Sequence, residues 1–322
     1  IESYLFFAIE LSASYYTRTQ LASITREINK LFPMPAMVLF HHRETLTLSI
    51  INRRLHKRDE SKDVLEKVTL IKDINFTDPH RAHIEILFDL SLDEVHHQHG
   101  FTNFVELHKA WQKVLDSSEL NKRFFSEIAN WYFWAIQHVT FPRDAGEDEE
   151  VRNATSVIRL ITRLIFIWFI KEKDLVTDDL FNQRRLKEIL NYSDSNGSTY
   201  YKAILQNLFF ATLNQEMNTA KKPENRKFRS RSKTPGERDP HYNITSLYRY
   251  EDYFQNPAEA LDLFSRISFL NGGLFECLDK EDRDNHSKVL RIDGFSDRAD
   301  NELCVPDFLF FSEEREVDLN EE

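Results

Sequence analysis

Glu10 stands at the end of the apolar run Tyr4-Leu5-Phe6-Phe7-Ala8-Ile9. A carboxylate at the end of a buried strand can hold a divalent cation for phosphodiester hydrolysis. That chemistry needs a second carboxylate to share Mg²⁺ and a nearby lysine to position the attacking water. The residue two beyond Glu10 is Ser12, and an upstream aspartate would have to precede Ile1. Glu10 is therefore a candidate remnant of a catalytic carboxylate, with Mg²⁺ only if the site is completed upstream. The competing expectation is a strand-end glutamate paired with Arg18 or Arg26.

A second group of residues suits phosphate contact. Arg53-Arg54-Leu55-His56-Lys57-Arg58 is the densest basic run before residue 200, and Lys62, Lys67 and Lys72 extend it. Arg18, Arg26, Arg53, Arg54, Lys57 and Arg58 form the candidate DNA-binding set, since clustered cations on an acidic chain make a local phosphate-contacting patch. Asp59, Glu60, Asp63 and Glu66 interleave with the run and would equally give a solvated, self-paired surface. Residues 221–240 are also basic and poor in apolar side chains, which reads as a flexible loop, with groove tracking as the functional alternative.

The remaining candidates are better explained by structure. His80-x-x-His83 and His96-His97-x-His99 have no cysteine near them, so a zinc centre has little support. The aromatic cluster from Trp131 to Trp134 suits a helix core better than a base-stacking platform. Arg159 and Arg163, one turn apart on a very apolar stretch, are expected to snorkel or to pair with carboxylates. Gly272-Gly273 marks a backbone turn.

The elements that must position these residues follow from periodicity. Residues 5–11 read as a strand. Thr17 and Gln20 have capping-box spacing, and Leu21, Ile24, Ile28 and Leu31 recur as one helix face until Pro33 and Pro35. Residues 36–41 and 45–52 predict a hairpin around Arg43-Glu44, residues 68–74 a further strand, and 83–92 either strand or helix. From Phe101 the pattern is helical over 101–116, 119–139, 154–173, 178–190, 200–213 and 257–266. The expected class is α+β, with a small mixed α/β subdomain over 1–92. A mainly helical connector follows over 93–322, with the basic loop 221–240 and an acidic tail.

Composition narrows the function classes. The chain has 322 residues, a net charge of −11 and a pI near 5.6, which argues against a stand-alone nucleic-acid module of diffuse positive charge. Two cysteines outside any CxxC pair suit a reducing cytoplasm. No signal peptide is visible, and the run 164–170 is too short for a bilayer, so no membrane partner is expected. Four Asn-x-Ser/Thr triplets, beginning at Asn75, Asn153, Asn196 and Asn243, read as chance. The opening at Ile1, directly before a buried strand, reads as a piece of a longer protein.

Several runs, in order, bear a resemblance. They include Tyr16-Thr17-Arg18-Thr19-Gln20-Leu21-Ala22, Phe32-Pro33-Met34-Pro35, Arg53-Arg54-Leu55-His56-Lys57-Arg58-Asp59 and Pro79-His80-Arg81-Ala82-His83. Later come Leu205-Gln206-Asn207-Leu208-Phe209-Phe210-Ala211-Thr212-Leu213-Asn214 and Phe269-Leu270-Asn271-Gly272-Gly273-Leu274-Phe275. Together they resemble the region preceding the methyltransferase domain in large bacterial class I S-adenosylmethionine-dependent, adenine-specific DNA methyltransferases. Many of these are type IIG restriction–modification enzymes, with nuclease and methylase in one chain. The resemblance implies a portion, over about residues 6–311, that contributes DNA contacts and couples to a downstream methyltransferase domain. The small mixed α/β subdomain at the start, with its strand, helix and two further strands, is compatible with a restriction-nuclease-like fold. S-adenosylmethionine would belong to the missing domain, because this chain has no Asn/Asp-Pro-Pro-Tyr/Phe motif, no Pro-Pro pair and no G-x-G loop. The alternatives are a partial PD-(D/E)XK-like nuclease and a purely structural protein-interaction module. The chain should accordingly bind no S-adenosylmethionine: calorimetric titration is expected to give only heats of dilution, and micromolar binding would refute the motif reading.

Overall fold

The computed structural model describes residues 4–13, 16–32, 36–56, 59–77, 79, 81–115, 117–192, 196–217, 226–230, 246–270, 272–282, 289–293 and 301–311; over 52–56, 59–67 and 117–119 the description is of the backbone. The fold is α+β, a four-stranded mixed sheet followed by a helical region. Two compact units divide after Glu127.

In the first unit, β1 (Leu5–Glu10) and β2 (Ala36–His42) are parallel, from Leu5↔Ala36 to Glu10↔His41. Parallel neighbours need a crossover, and α1 (Arg18–Leu31) supplies it. Its start is set by the capping box: the Gln20 amide donates to Thr17 Oγ1 at 3.3 Å, and the Thr17 amide donates to Gln20 Oε1 at 2.8 Å. The chain then turns at Arg43-Glu44 into β3 (Thr45–His56) and returns as β4 (Asp59–Asn75), giving the sheet order β1-β2-β3-β4.

Period-two alternation sends side chains to opposite faces of the sheet. On one face Val38, Phe40 and Leu70 pack under Leu21 and Ala22 of α1, with Ile24 and Ile28 at the margin. Leu31, expected on this face, is 75% exposed. The buried stripe runs Leu21, Ala22, Thr25, Asn29, and Leu31 lies about 200° around the helix from Asn29. On the other face Leu48, Ile50, Ile71 and Ile74 pack with Ile86, Leu90 and Leu115. These come from or border α2 (Arg81–Asp89) and α4 (Phe104–Val114). Val95 of α3 (Leu92–His99) joins Leu107 and Trp111 against Tyr4 and Met37. The ambiguous stretch is thus helical. The unit runs past the expected boundary at 92 because the sheet's second face needs these helices to cover it.

The second unit takes the end of α5 (Ser117–Ile136) and then α6 (Glu149–Lys171) and α7 (Gln183–Ile189). A π-helix (Tyr200–Leu213), α8 (Pro257–Ser265), a ladder of β5 (Lys280–Glu281) with β6 (Val289–Leu290), and α9 (Phe308–Phe311) complete it. Every residue of the π-helix except Lys202 is buried. A helix apolar on all sides belongs in the interior. Its terminal amides and carbonyls then need partners. At the N-terminus Asp307 accepts from the Thr199 and Tyr200 amides at 3.1 and 2.8 Å. At the C-terminus Arg226 donates to the carbonyls of Thr212 at 2.8 Å and Gln215 at 3.0 Å, and also to Ile267 at 2.5 Å. Both charges suit the helix dipole. Residues 226–230 were expected within a flexible basic loop. Instead Arg226 is buried, and the segment pairs with Tyr248 through Arg229 N–H to Tyr248 O at 2.9 Å. The rest of 221–240 and the acidic tail lie outside the described residues.

Among the described residues α6 is the one helix long and apolar enough, by length and composition, to cross a membrane. The short run 164–170 understated it. Two of its three arginines nevertheless have protein partners: Arg163 is 2% exposed and meets Asp293 Oδ2 at 2.8 Å and Leu274 O at 2.9 Å, and Arg152 meets Phe141 O at 3.0 Å, while Arg159 has a buried Nη1 with no hydrogen-bond partner among the described residues. The expected carboxylate pairing of Arg163 is present.

Burial raises the Asp307 carboxyl to about 6, outweighing its two amide bonds. A raised acid stabilises fully below its unfolded value, near ~3.9, and that contribution is lost as pH rises through the folded value. Asp307→Asn should therefore gain on wild type between pH 4 and pH 7 by on the order of 2 kcal/mol, whatever its offset at pH 4. Urea melts at several pH values check this; a constant difference would refute it.

Candidate nucleic-acid interface

The parallel register places Glu10 beside His41, with Oε2 and Nδ1 2.5 Å apart. The expectation that Glu10 pairs with Arg18 or Arg26 is corrected: its partner is His41, directly opposite on the neighbouring strand. Arg18 instead donates from Nη2 to Leu70 O at 3.3 Å, and Arg26 is exposed on α1 with no ion pair among the described residues. The pair is largely open to water, so its contribution to stability is small, at ~0–1 kcal/mol.

A bulge shapes the neighbouring surface. Leu46 pairs with Ile74 and Leu48 with Ile71, so Thr47 alone faces Lys72 and Asp73. Asp73 takes the left-handed conformation at φ 61°, and its amide donates to Thr47 Oγ1 at 3.2 Å. Bulges of this kind sharpen the twist and re-aim side chains. Here Lys72 and Asp73 are brought into contact with each other and onto the wall of a cleft of about 450 Å³. Tyr16, His42, Arg43 and Asn75 also line it. His42 is held by Nε2 to Ala13 O at 2.8 Å. The cleft lies off the carboxyl ends of β1 and β2.

No metal centre assembles around Glu10 among the described residues. The group of donors that does converge is Cys277, Asp279 and Asp293 in the second unit, within 4.8 Å of one another. Its carboxylates are already engaged: Asp293 with Arg163, and Asp279 with Arg291 Nη1 at 3.0 Å and the Ile292 amide at 2.7 Å. Burial pushes the Asp279 carboxyl and the Cys277 thiol up. This is a structural ion-pair cluster, and none of the described histidines joins it.

The basic run is placed by backbone topology. β2 pairs with β3 as far as Met37↔Ile50. Beyond that point only β3 and β4 continue, through Arg53↔Leu65 and Arg54↔Val64 to His56↔Asp59. The result is a two-stranded ribbon extending past β2, about 20 Å long over 51–56. Arg53 and Arg54 lie on it. Their side chains, and all of Lys57 and Arg58, fall outside the described residues. Sequence reading placed these strands but ended one at 52 and began the next at 68, because charges interrupt the apolar alternation. The bulge was also missed, since Asp rather than Gly occupies its left-handed position.

No family model matches the chain, and no curated protein and no solved structure matches it significantly.

The bulge is testable. Only a residue that tolerates positive φ fits position 73, and the left-handed region costs a non-glycine residue roughly 1–2 kcal/mol. Asp73→Gly should be neutral or stabilising in chemical denaturation, and Asp73→Val should lose at least about 1 kcal/mol. Equal effects from both would remove the bulge as a constraint.

Proposed function

We propose that this chain is the non-methyltransferase portion of a cytoplasmic restriction–modification adenine-specific DNA methyltransferase. The first unit contributes DNA contacts, and the second couples to a methyltransferase domain elsewhere in the parent protein. One observation supports the DNA role above the others: Arg53 and Arg54, from the densest basic run before residue 200 of an acidic chain, lie on a two-stranded ribbon rooted in a sheet covered on both faces. A two-stranded ribbon fits the major groove of B-form DNA. A ribbon also delivers cations beyond the acidic body, whose field is screened over ~8 Å at physiological salt.

S-adenosylmethionine would act in the coupled domain. The partial-nuclease reading keeps the Glu10 strand end but lacks a second carboxylate beside it among the described residues, so DNA contact rather than cleavage is the better reading. The structural-module reading lacks any use for the basic run.

Fluorescence anisotropy with a labelled duplex, at several salt concentrations, tests the proposal. Each phosphate contact adds about 0.9 to the slope of log affinity against log salt. Replacing Arg53, Arg54, Lys57 and Arg58 together by glutamate should weaken binding and flatten the slope by roughly three to four units. Substitution of Arg229 and Ser230 should do less. Absence of binding at low salt would hand the function to the interaction-module reading, and an unchanged slope would place the contacts elsewhere.

A further inference from the structure

The outward face of α6 holds an apolar stripe that the second unit leaves uncovered. Val151, Ile158, Ile165 and Phe169 are 62, 56, 45 and 58% exposed, and Thr155 and Thr162 fill the intervening places. The steps between these six positions alternate four and three. That is the spacing with which one helix seats against another in a left-handed pair. The stripe runs about 27 Å along the helix.

The pattern is also self-complementary. When two copies of α6 are laid antiparallel and centred on position 160, Val151 falls opposite Phe169, Thr155 opposite Ile165, and Ile158 opposite Thr162. Small residues thus meet large ones in each layer. The charged ends follow the same register. Glu147 falls opposite Lys173, whereas Glu149 and Lys171 lie on the side of α6 away from the stripe. One like-charged juxtaposition arises, Asp148 with Glu172. Both are already engaged, Asp148 with the Val151 amide at 3.0 Å and Glu172 with Lys171 at 2.9 Å. A parallel arrangement would stack the acidic run 147–150 on its own copy. Burial of the stripe strands no hydroxyl at Thr162, which donates to Ile158 O at 2.8 Å.

We infer that α6 pairs antiparallel with α6 of a second copy of this chain, making a symmetric dimer through the second unit. The contact is isologous: each patch meets its own copy across a two-fold axis. Phe166 and Trp168, also exposed, border the stripe and widen the buried area. The inference is independent of the DNA reading.

Sedimentation equilibrium of the whole chain should give a dimer. Ile158→Glu with Ile165→Glu should give a monomer with an unchanged circular dichroism spectrum. Cross-linking fixes the register. A Thr155→Cys chain mixed with an Ile165→Cys chain should form a disulfide-linked heterodimer several-fold above the wild-type background, and neither alone should do so. Linkage of Thr155→Cys chains to each other would mean parallel pairing and overturn the register. A wild-type chain that remains monomeric up to its solubility limit would overturn the dimer, as would a monomer that floats with phosphatidylcholine–phosphatidylglycerol vesicles and loses that property on the double substitution.

Discussion

A helix buried by protein on almost every side has no water at its ends. This constraint organises the second unit. The π-helix Tyr200–Leu213 leaves terminal amides and carbonyls that would each cost on the order of 1–3 kcal/mol if buried without a partner. Asp307 and Arg226, from segments far apart in the chain, supply them, and each has the sign that the helix dipole favours. Polar groups within the helix are treated likewise. Asn207 donates to Arg249 O at 2.9 Å and accepts from the Arg249 amide at 2.8 Å. Arg163 of α6 lies over the rings of Phe209 and Phe210 and turns its guanidinium to Asp293. Removing one member of such a pair leaves a buried charge, so these contacts set the arrangement of segments more than they add net stability.

The first unit solves a different problem. A mixed sheet with apolar side chains on both faces needs two covers; α1 supplies one and α2 to α4 the other. β3 and β4 continue past β2 as a two-stranded ribbon rooted between those two layers. Arg53 and Arg54 lie on that ribbon. At the opposite end of the sheet the Thr47 bulge opens the cleft beside His42 and Lys72. Packing is concentrated at the middle of the sheet, and polar side chains line the cleft at one end.

What could be read in advance was local. The capping box at Thr17 and Gln20 and the turn at Arg43-Glu44 each depend on a few adjacent residues. The apolar stretch 200–213 gave its bounds for the same reason, although nothing in it signals i to i+5 bonding, for which we have no physical account. What could not be read depends on distant partners. Arg226 sits in a polar, basic stretch and looks like loop, because its ligands are backbone carbonyls of Thr212, Gln215 and Ile267, which no side-chain pattern advertises. Glu10 finds His41 only once the parallel register is known. The boundary near 92 was drawn where the pattern changed from strand to helix, yet Trp111 and Leu115 are as much part of the sheet's core as Ile50. Arg53 and Arg54 were legible as part of a cluster of like charge; their placement on a ribbon was not, since the interleaved acids hide the strands.

The closure of the second unit by residues near Asp307 bears on the order in which the chain can fold. Cys304 exchanges backbone bonds with Thr140 at 2.8 Å in both directions, Asn301 accepts from the Arg143 amide at 2.7 Å, and Asp307 caps the π-helix. These contacts span more than a hundred residues, whereas the sheet of the first unit forms between neighbours in sequence. During synthesis from the N-terminus the sheet and its covering helices can therefore close early. The π-helix must wait, with its amides unpaired and its aromatic rings exposed, until the segment around Asp307 has left the ribosome. Until then the apolar side chains that the finished unit buries stay in contact with water.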